Sequence, residues 1–184
     1  MLRIPDMQTF YLYHEVPKDL AGDTLYPLNV LKDKYPEIYN KKVAKYDDRP
    51  EVLNWKVPTL NCLWNDVLHL TAVHPELVKK ALLEAGYKGT YEVSCYQIDP
   101  RLLDPKKTTV YLYINERLIE GTDPKDFTEF NPSDMGKYSD ITEYTKKHYK
   151  RLFDKGEKPR IYPWVPHIFY KGSIDVKNLP IIKV

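Results

Sequence analysis

VPHIFYKGSID, Val165–Asp175, places a histidine after a proline, then the apolar run Ile168-Phe169-Tyr170, then a turn at Lys171-Gly172-Ser173. A short apolar run bounded by turn residues reads as a buried strand. With PIIKV behind it, the segment is expected to form a strand, a turn at Gly172 and a short closing strand. The histidine at the strand's entrance, His167, marks a candidate pocket.

Other segments carry the same kinds of signal. FYLYHEV (10–16) alternates as a strand, with Phe10, Leu12, His14 and Val16 on one side. The stretch 28–46 is helical, and Pro36 is expected to open a second helix rather than interrupt one. In NCLWNDVLHLTA (61–72) the second half is a strand candidate with Val67, His69 and Thr71 on one side. HPELVKKALLEAG has apolar residues at Leu77, Val78, Ala81, Leu82 and Ala85, between Pro75 at its start and Gly86 past its end. That pattern predicts a helix. TYEVSCYQID and TTVYLYI are strands, 115–140 is irregular, and ITEYTKKHYKRLF is a basic helix.

The 184 residues are read as a single domain, 1–184, large enough to bury about 70% of the surface its unfolded form exposes. Two cysteines, Cys62 and Cys95, are too few for a disulfide framework and show no metal-ligand spacing. No run approaches the ~18 apolar residues of a membrane helix, and the N-terminal stretch lacks a signal-peptide pattern. The expectation is therefore a cytoplasmic protein without a membrane partner. A net charge of +2 is not by itself a nucleic-acid footprint. Sixteen tyrosines and 15 prolines against 7 glycines favour strands and ordered loops over a helix bundle.

Of the 5 histidines, His14, His69 and His167 fall in separate predicted strands. Imidazole donates, accepts or shuttles a proton near neutral pH, so three of them on one sheet can line one pocket. Each taken singly also fits a satisfied core or surface histidine. No H-E-x-x-H pair accompanies them, and no metal is expected. Strand alternation places Asp66 and His69 on opposite faces, so Asp66 is expected to cap a turn. Lys146, Lys147, Lys150 and Arg151, with Tyr144 and Tyr149 nearby, are read as a solvated helix face, with phosphate or nucleic acid as the alternative. Phosphate-loop, dinucleotide and hydrolase-elbow signatures are absent.

In order, the chain shows Tyr13-His14 ending a first strand, LHLTA running into VHPELVKKAL, a strand ending IDPRLL, and PHIFYKGSI with IIKV. That order resembles the ADP-ribosyltransferase-like fold, most closely small uncharacterised bacterial members of that superfamily. The resemblance covers 10–20, 66–83, 91–114 and 164–184, and leaves 30–60 and 115–160 as insertions. It implies an α+β fold, a split antiparallel β-sheet with flanking helices, in which a final hairpin completes an NAD-binding cleft. It places His14 where the family contacts the nicotinamide ribose, and His69 with Thr71 near the nucleotide-holding position. Tyr13 or Tyr170 would stack on a base or nicotinamide.

The family's third position is a glutamate on a late strand; here the strand carries His167 and no carboxylate. An imidazole stabilises developing positive charge poorly, and losing one preorganised group of this kind typically costs ~10²–10³ in rate. Glu15 and Asp175 are the nearest acids in sequence, outside the motif position. The same fold includes a transferase that removes a 2′-phosphate from RNA with histidines and arginines; Arg101, Arg151 and Arg160 are the candidates for that arginine. The expected function is thus an NAD, ADP-ribose or nucleotide cleft lined by Tyr13, His14, His69, Thr71 and Tyr170. Any reaction there would be glycosyl or phosphoryl transfer, with His14 positioning substrate as a donor and His167 as acid or base. The alternative is a non-catalytic module that keeps the fold and binds a protein. NAD as substrate, a nucleotide-type small molecule or a protein partner follow from these readings, with RNA the least favoured.

Overall fold

The computed structural model describes residues 9–113 and 122–184. In chain order they form β1 (Leu12–Glu15), β2 (Thr24–Leu25), α1 (Leu28–Lys34), α2 (Pro36–Val43), β3 (Lys56–Val57), β4 (Cys62–Leu63), β5 (Leu68–Leu70) and α3 (Pro75–Glu84). There follow β6 (Ser94–Ile98), β7 (Thr108–Tyr111), β8 (Phe127–Glu129), α4 (Glu143–Asp154), β9 (His167–Tyr170), β10 (Ile174–Asp175) and β11 (Ile181–Lys183). The molecule is mixed α and β, with several small antiparallel sheets.

Proline chemistry sets most helix starts. Pro36 and Pro75 each occupy the first helical position, where a missing N–H costs nothing. His74 caps α3 by accepting the Glu76 N–H on its Nδ1. Gly86, at φ +104°, ends that helix in a conformation that side chains resist. Thr142 caps α4 by accepting the Thr145 N–H at 3.1 Å.

Two sheets matter for the site. One has the order β5-β9-β7-β8 and the other β1-β6-β11, all pairings antiparallel. They touch at an isolated bridge, where the Tyr13 N–H donates to the Thr71 carbonyl at 2.7 Å and the Thr71 N–H returns to Tyr13 at 3.1 Å. The closing segment departs from the expected hairpin. Its strands go to three sheets: β9 into the middle of the four-stranded sheet, β10 beside β2, and β11 at the edge of β6. The turn at Gly172 redirects the chain instead of pairing β9 with its successor.

Strand alternation sorts the core. Leu68, Leu70, Val110 and Ile168 enter one cluster with Leu12, Ile98 and Met135. From the opposite face, Phe169 and Tyr111 join Val57, Val67 and Phe127. Thus β9 is buried on both faces, which is why its sequence is a continuous apolar run. A third cluster joins α3 to α4 through Val73, Val78, Leu82, Tyr149 and Val165. Cys95 is buried and Cys62 half-buried, both as free thiols. Among the described residues, no helix is long and apolar enough to cross a membrane.

The segments 30–60 and 115–160, expected as insertions, supply α2 and α4 and the strands β3 and β8. Residues 114–121, where the predicted strand TTVYLYI was to end and the irregular stretch to begin, lie outside the described residues.

Candidate functional site

His14, His69 and His167 come from different strands and line one cleft of about 750 Å³. This falls in the range of small-molecule sites. His69 and His167 lie on adjacent strands, their ring centroids 6.3 Å apart and nearly perpendicular. His69 also packs on Phe169 at 4.5 Å and on Trp64 at 5.0 Å, so the base of the cleft is aromatic. Tyr111 and Tyr113 flank His167 at 6.4 and 5.9 Å.

Backbone carbonyls decide the tautomers, because a carbonyl only accepts. His14 donates Nδ1–H to the Glu15 carbonyl at 2.6 Å, and His167 donates Nδ1–H to the Val165 carbonyl at 2.6 Å. His69 donates Nε2–H to the Trp64 carbonyl at 2.9 Å. Burial pushes the imidazoles down, His14 and His167 to about 4 and His69 to about 3. The neighbouring His167 lowers His69 further, and Lys42 and Lys45 lower His14. At neutral pH all three rings are therefore uncharged. Each keeps one nitrogen lone pair outside these bonds: Nε2 on His14 and His167, Nδ1 on His69. For His14 this reverses the expected role. It presents an acceptor to a ligand hydroxyl, not a donor.

The other sequence candidates lie off the cleft. Tyr13 points to the opposite side of β1 from His14, its ring 5.1 Å from His74. Thr71 lies past the end of β5, where the bridge to Tyr13 ends the alternation; its buried hydroxyl accepts the Val73 N–H at 3.1 Å. Tyr170 shares a strand face with Ile168, not with His167, and packs on the main core cluster. The aromatics that do reach the cleft are Tyr26, Tyr46, Trp55, Trp64, Tyr111, Tyr113 and Tyr162. Tyr113 stands at φ +53°, as does Trp164, and their rings stack 6.1 Å apart. A bulky residue in the left-handed region typically costs about 1–3 kcal/mol, and such strain concentrates at functional positions.

Asp66 caps, as expected: its Oδ2 accepts the Leu63 N–H at 2.7 Å and its Oδ1 accepts from Asn29 at 2.7 Å. The basic helix α4 is a solvated face, with Lys146 paired to Glu143 and Lys150 to Asp154. Its contribution to the site is indirect. The buried Thr145 hydroxyl donates to the Pro163 carbonyl at 2.7 Å and the Tyr149 hydroxyl to the Ile161 carbonyl, fixing the 161–163 wall of the cleft.

Of the arginine candidates, Arg160 lines the cleft. Arg101 is exposed and paired with Asp99, and Arg151 sits on α4 beside His148. Arg49 also lines the cleft and was not singled out in the sequence, although Lys42, Lys45 and Arg49 carry a helical i, i+3, i+7 spacing. Glu15 is at the cleft and Asp175 is not; the Asp175 carboxylate instead caps the Lys177 N–H. Among the described residues, no group of three His, Cys, Asp or Glu side chains is placed to hold a metal ion. No family model matches this chain, no curated protein is similar to it, and no solved structure matches it.

Proposed function

We propose that the chain has an ADP-ribosyltransferase-like fold and that its cleft binds a nucleotide of the ADP-ribose type, NAD included. The observation that carries this reading is the gathering of three uncharged imidazoles, each with a free lone pair, in one aromatic-walled cleft. Such nitrogens accept hydrogen bonds from ribose hydroxyls, and the aromatic wall offers faces on which a base or nicotinamide stacks. The two antiparallel sheets, whose backbones among the described residues are bridged at Tyr13–Thr71, agree with a split sheet.

Turnover, on this reading, is glycosyl or phosphoryl transfer. His167 Nε2 accepts the proton of the attacking group, and His14 Nε2 orients a substrate hydroxyl. Neutral imidazoles at pH 7 are in the correct state for both roles. One observation favours a second reading, a non-catalytic module that recognises a protein: β9 is His-Ile-Phe-Tyr, without a carboxylate to stabilise positive charge.

Thermal unfolding with millimolar NAD, ADP-ribose and a 2′-phosphorylated RNA oligonucleotide tests both. A ligand at ~100 times its dissociation constant adds about 2.7 kcal/mol, a rise of roughly 5–10 °C for a chain of this size. A rise with NAD or ADP-ribose that His14→Ala abolishes, followed by nicotinamide release, supports the transferase. A rise without release supports binding alone, and no rise with any ligand rejects the nucleotide cleft.

A further inference from the structure

We propose that one end of the cleft is a phosphate-binding subsite formed by Lys42, Lys45, Arg49 and Asn65, which takes the phosphate or diphosphate group of a ligand. It deepens the nucleotide reading by stating where the phosphates sit, and rests on that reading only for the rest of the ligand.

Two buried donors carry the inference. Among the described residues, Arg49 Nε and Asn65 Nδ2 have no hydrogen-bond acceptor, and both residues line the cleft. Asn65 is 2% exposed, and its carbonyl oxygen accepts the Tyr46 hydroxyl at 2.9 Å. That bond assigns the amide orientation and leaves the NH₂ as the unmatched group. A buried donor without an acceptor typically costs about 1–3 kcal/mol, and more when charged. Two such donors beside one cleft mark a place where an acceptor belongs.

Charge points the same way. The turn from α2 into the Ala44–Tyr46 3₁₀ helix brings Lys42, Lys45 and Arg49 to one side. Lys45 Nζ and Arg49 Cζ lie 4.9 and 5.1 Å from the centre of the same Tyr46 ring, which braces both cations. Two carboxylates, Glu15 and Asp19, also line the cleft, and the acids near the cations make only long ion pairs. Asp48, largely exposed, stands 3.8 Å from Arg49 Nε and 3.7 Å from Arg160, while Asp19 is 3.8 Å from Lys41. Burial lowers the pKa of Lys42 and Lys45, and Arg49 and Lys42 lower Lys45 further. Crowded, partly buried cations of this kind are stabilised by an anion. A phosphate offers several oxygens to a guanidinium, an amide and two ammonium groups at once.

Calorimetric titration at low ionic strength with inorganic pyrophosphate, inorganic phosphate and ADP-ribose tests the subsite. Pyrophosphate is expected to bind the native protein. Arg49→Ala and Lys45→Ala are expected to weaken it at least tenfold, and the α4 surface control Lys146→Ala to leave it unchanged. Arg49→Lys keeps the charge while removing Nε, so a loss there, with the unfolding midpoint retained, assigns the effect to the guanidinium rather than to misfolding. Asn65→Asp sets a carboxylate where the ligand oxygen belongs and is expected to abolish binding. Absence of pyrophosphate binding, or equal loss in the Lys146→Ala control, overturns the subsite. ADP-ribose binding that Arg49→Lys and Lys45→Ala leave untouched also overturns it, while sparing the nucleotide reading. Pyrophosphate binding as expected, with ADP-ribose no tighter and indifferent to His167→Ala, upholds the subsite and rejects the nucleotide reading.

Discussion

An imidazole that gives its only N–H to a backbone carbonyl becomes a fixed acceptor. His14, His69 and His167 are all in this state, and burial keeps all three uncharged. The linkage to stability follows directly. Between pH 6.5 and about 4 the unfolded chain binds protons that the folded imidazoles refuse, so the folded state loses stability as pH falls through this window. That loss is complete below the folded values, about 4 for His14 and His167 and about 3 for His69. Urea unfolding at pH 7, 5.5 and 4.5 is expected to show a steadily falling midpoint, and His69→Phe to flatten the profile. An unchanged slope in His69→Phe would place the acid sensitivity elsewhere. The residue types were readable in the sequence; the tautomers were not, because the carbonyls of Trp64 and Val165 reach the rings only once the chain has turned.

Two elements hold the cleft in shape: β9 as its base and α4 as a brace. Phe169 is fully buried at the centre of the four-stranded sheet, against Trp64, Tyr111 and His69. Phe169→Ala is expected to cost about 3–5 kcal/mol in denaturant unfolding, since a cavity there leaves the aromatic floor without support. The Tyr149 hydroxyl, on a side chain with no exposed surface, ties α4 to the Ile161 carbonyl. Tyr149→Phe is expected to lower stability by about 1 kcal/mol and to weaken ligand binding, because it frees the wall that carries Arg160 and Tyr162. A stability loss with affinity unchanged would show the brace to be structural only. At the end of α3, Gly86→Ala is expected to destabilise by about 1–2 kcal/mol, read from the unfolding midpoint, because φ +104° crowds a Cβ. That helix was legible from its apolar spacing, its proline and its glycine. The role of α4 was not: its sequence shows a charged face, while its function lies in two buried hydroxyls, of Thr145 and Tyr149, bonded to a segment more than ten residues away.

At the scale of the molecule, two sheets meet at the Tyr13–Thr71 bridge, and the cleft draws residues from both, His14 from one and His69 and His167 from the other. A ligand that spans His14 and His167 ties the sheets together. Hydrogen exchange at the Tyr13 and Thr71 amides is therefore expected to slow when ADP-ribose binds; exchange unaffected at saturating ligand would show that the sheets do not open against each other. Local pattern determined a good deal of this architecture. The buried β9, the restart at Pro36, the capped α3, the turn at Asp66 and the strand setting of three histidines follow from side-chain periodicity and from the backbone limits of proline and glycine. Those are properties of neighbours in the chain. Tertiary structure alone decided the rest. It sent β9, β10 and β11 to three different sheets, turned Tyr13 and Tyr170 away from the cleft, and brought Arg49 and Asn65 to its wall. Periodicity specifies which face of a strand is apolar, but pairing partners are chosen by contacts between distant segments. A site whose walls come from residues 14, 49, 69 and 167 exists only after that choice is made.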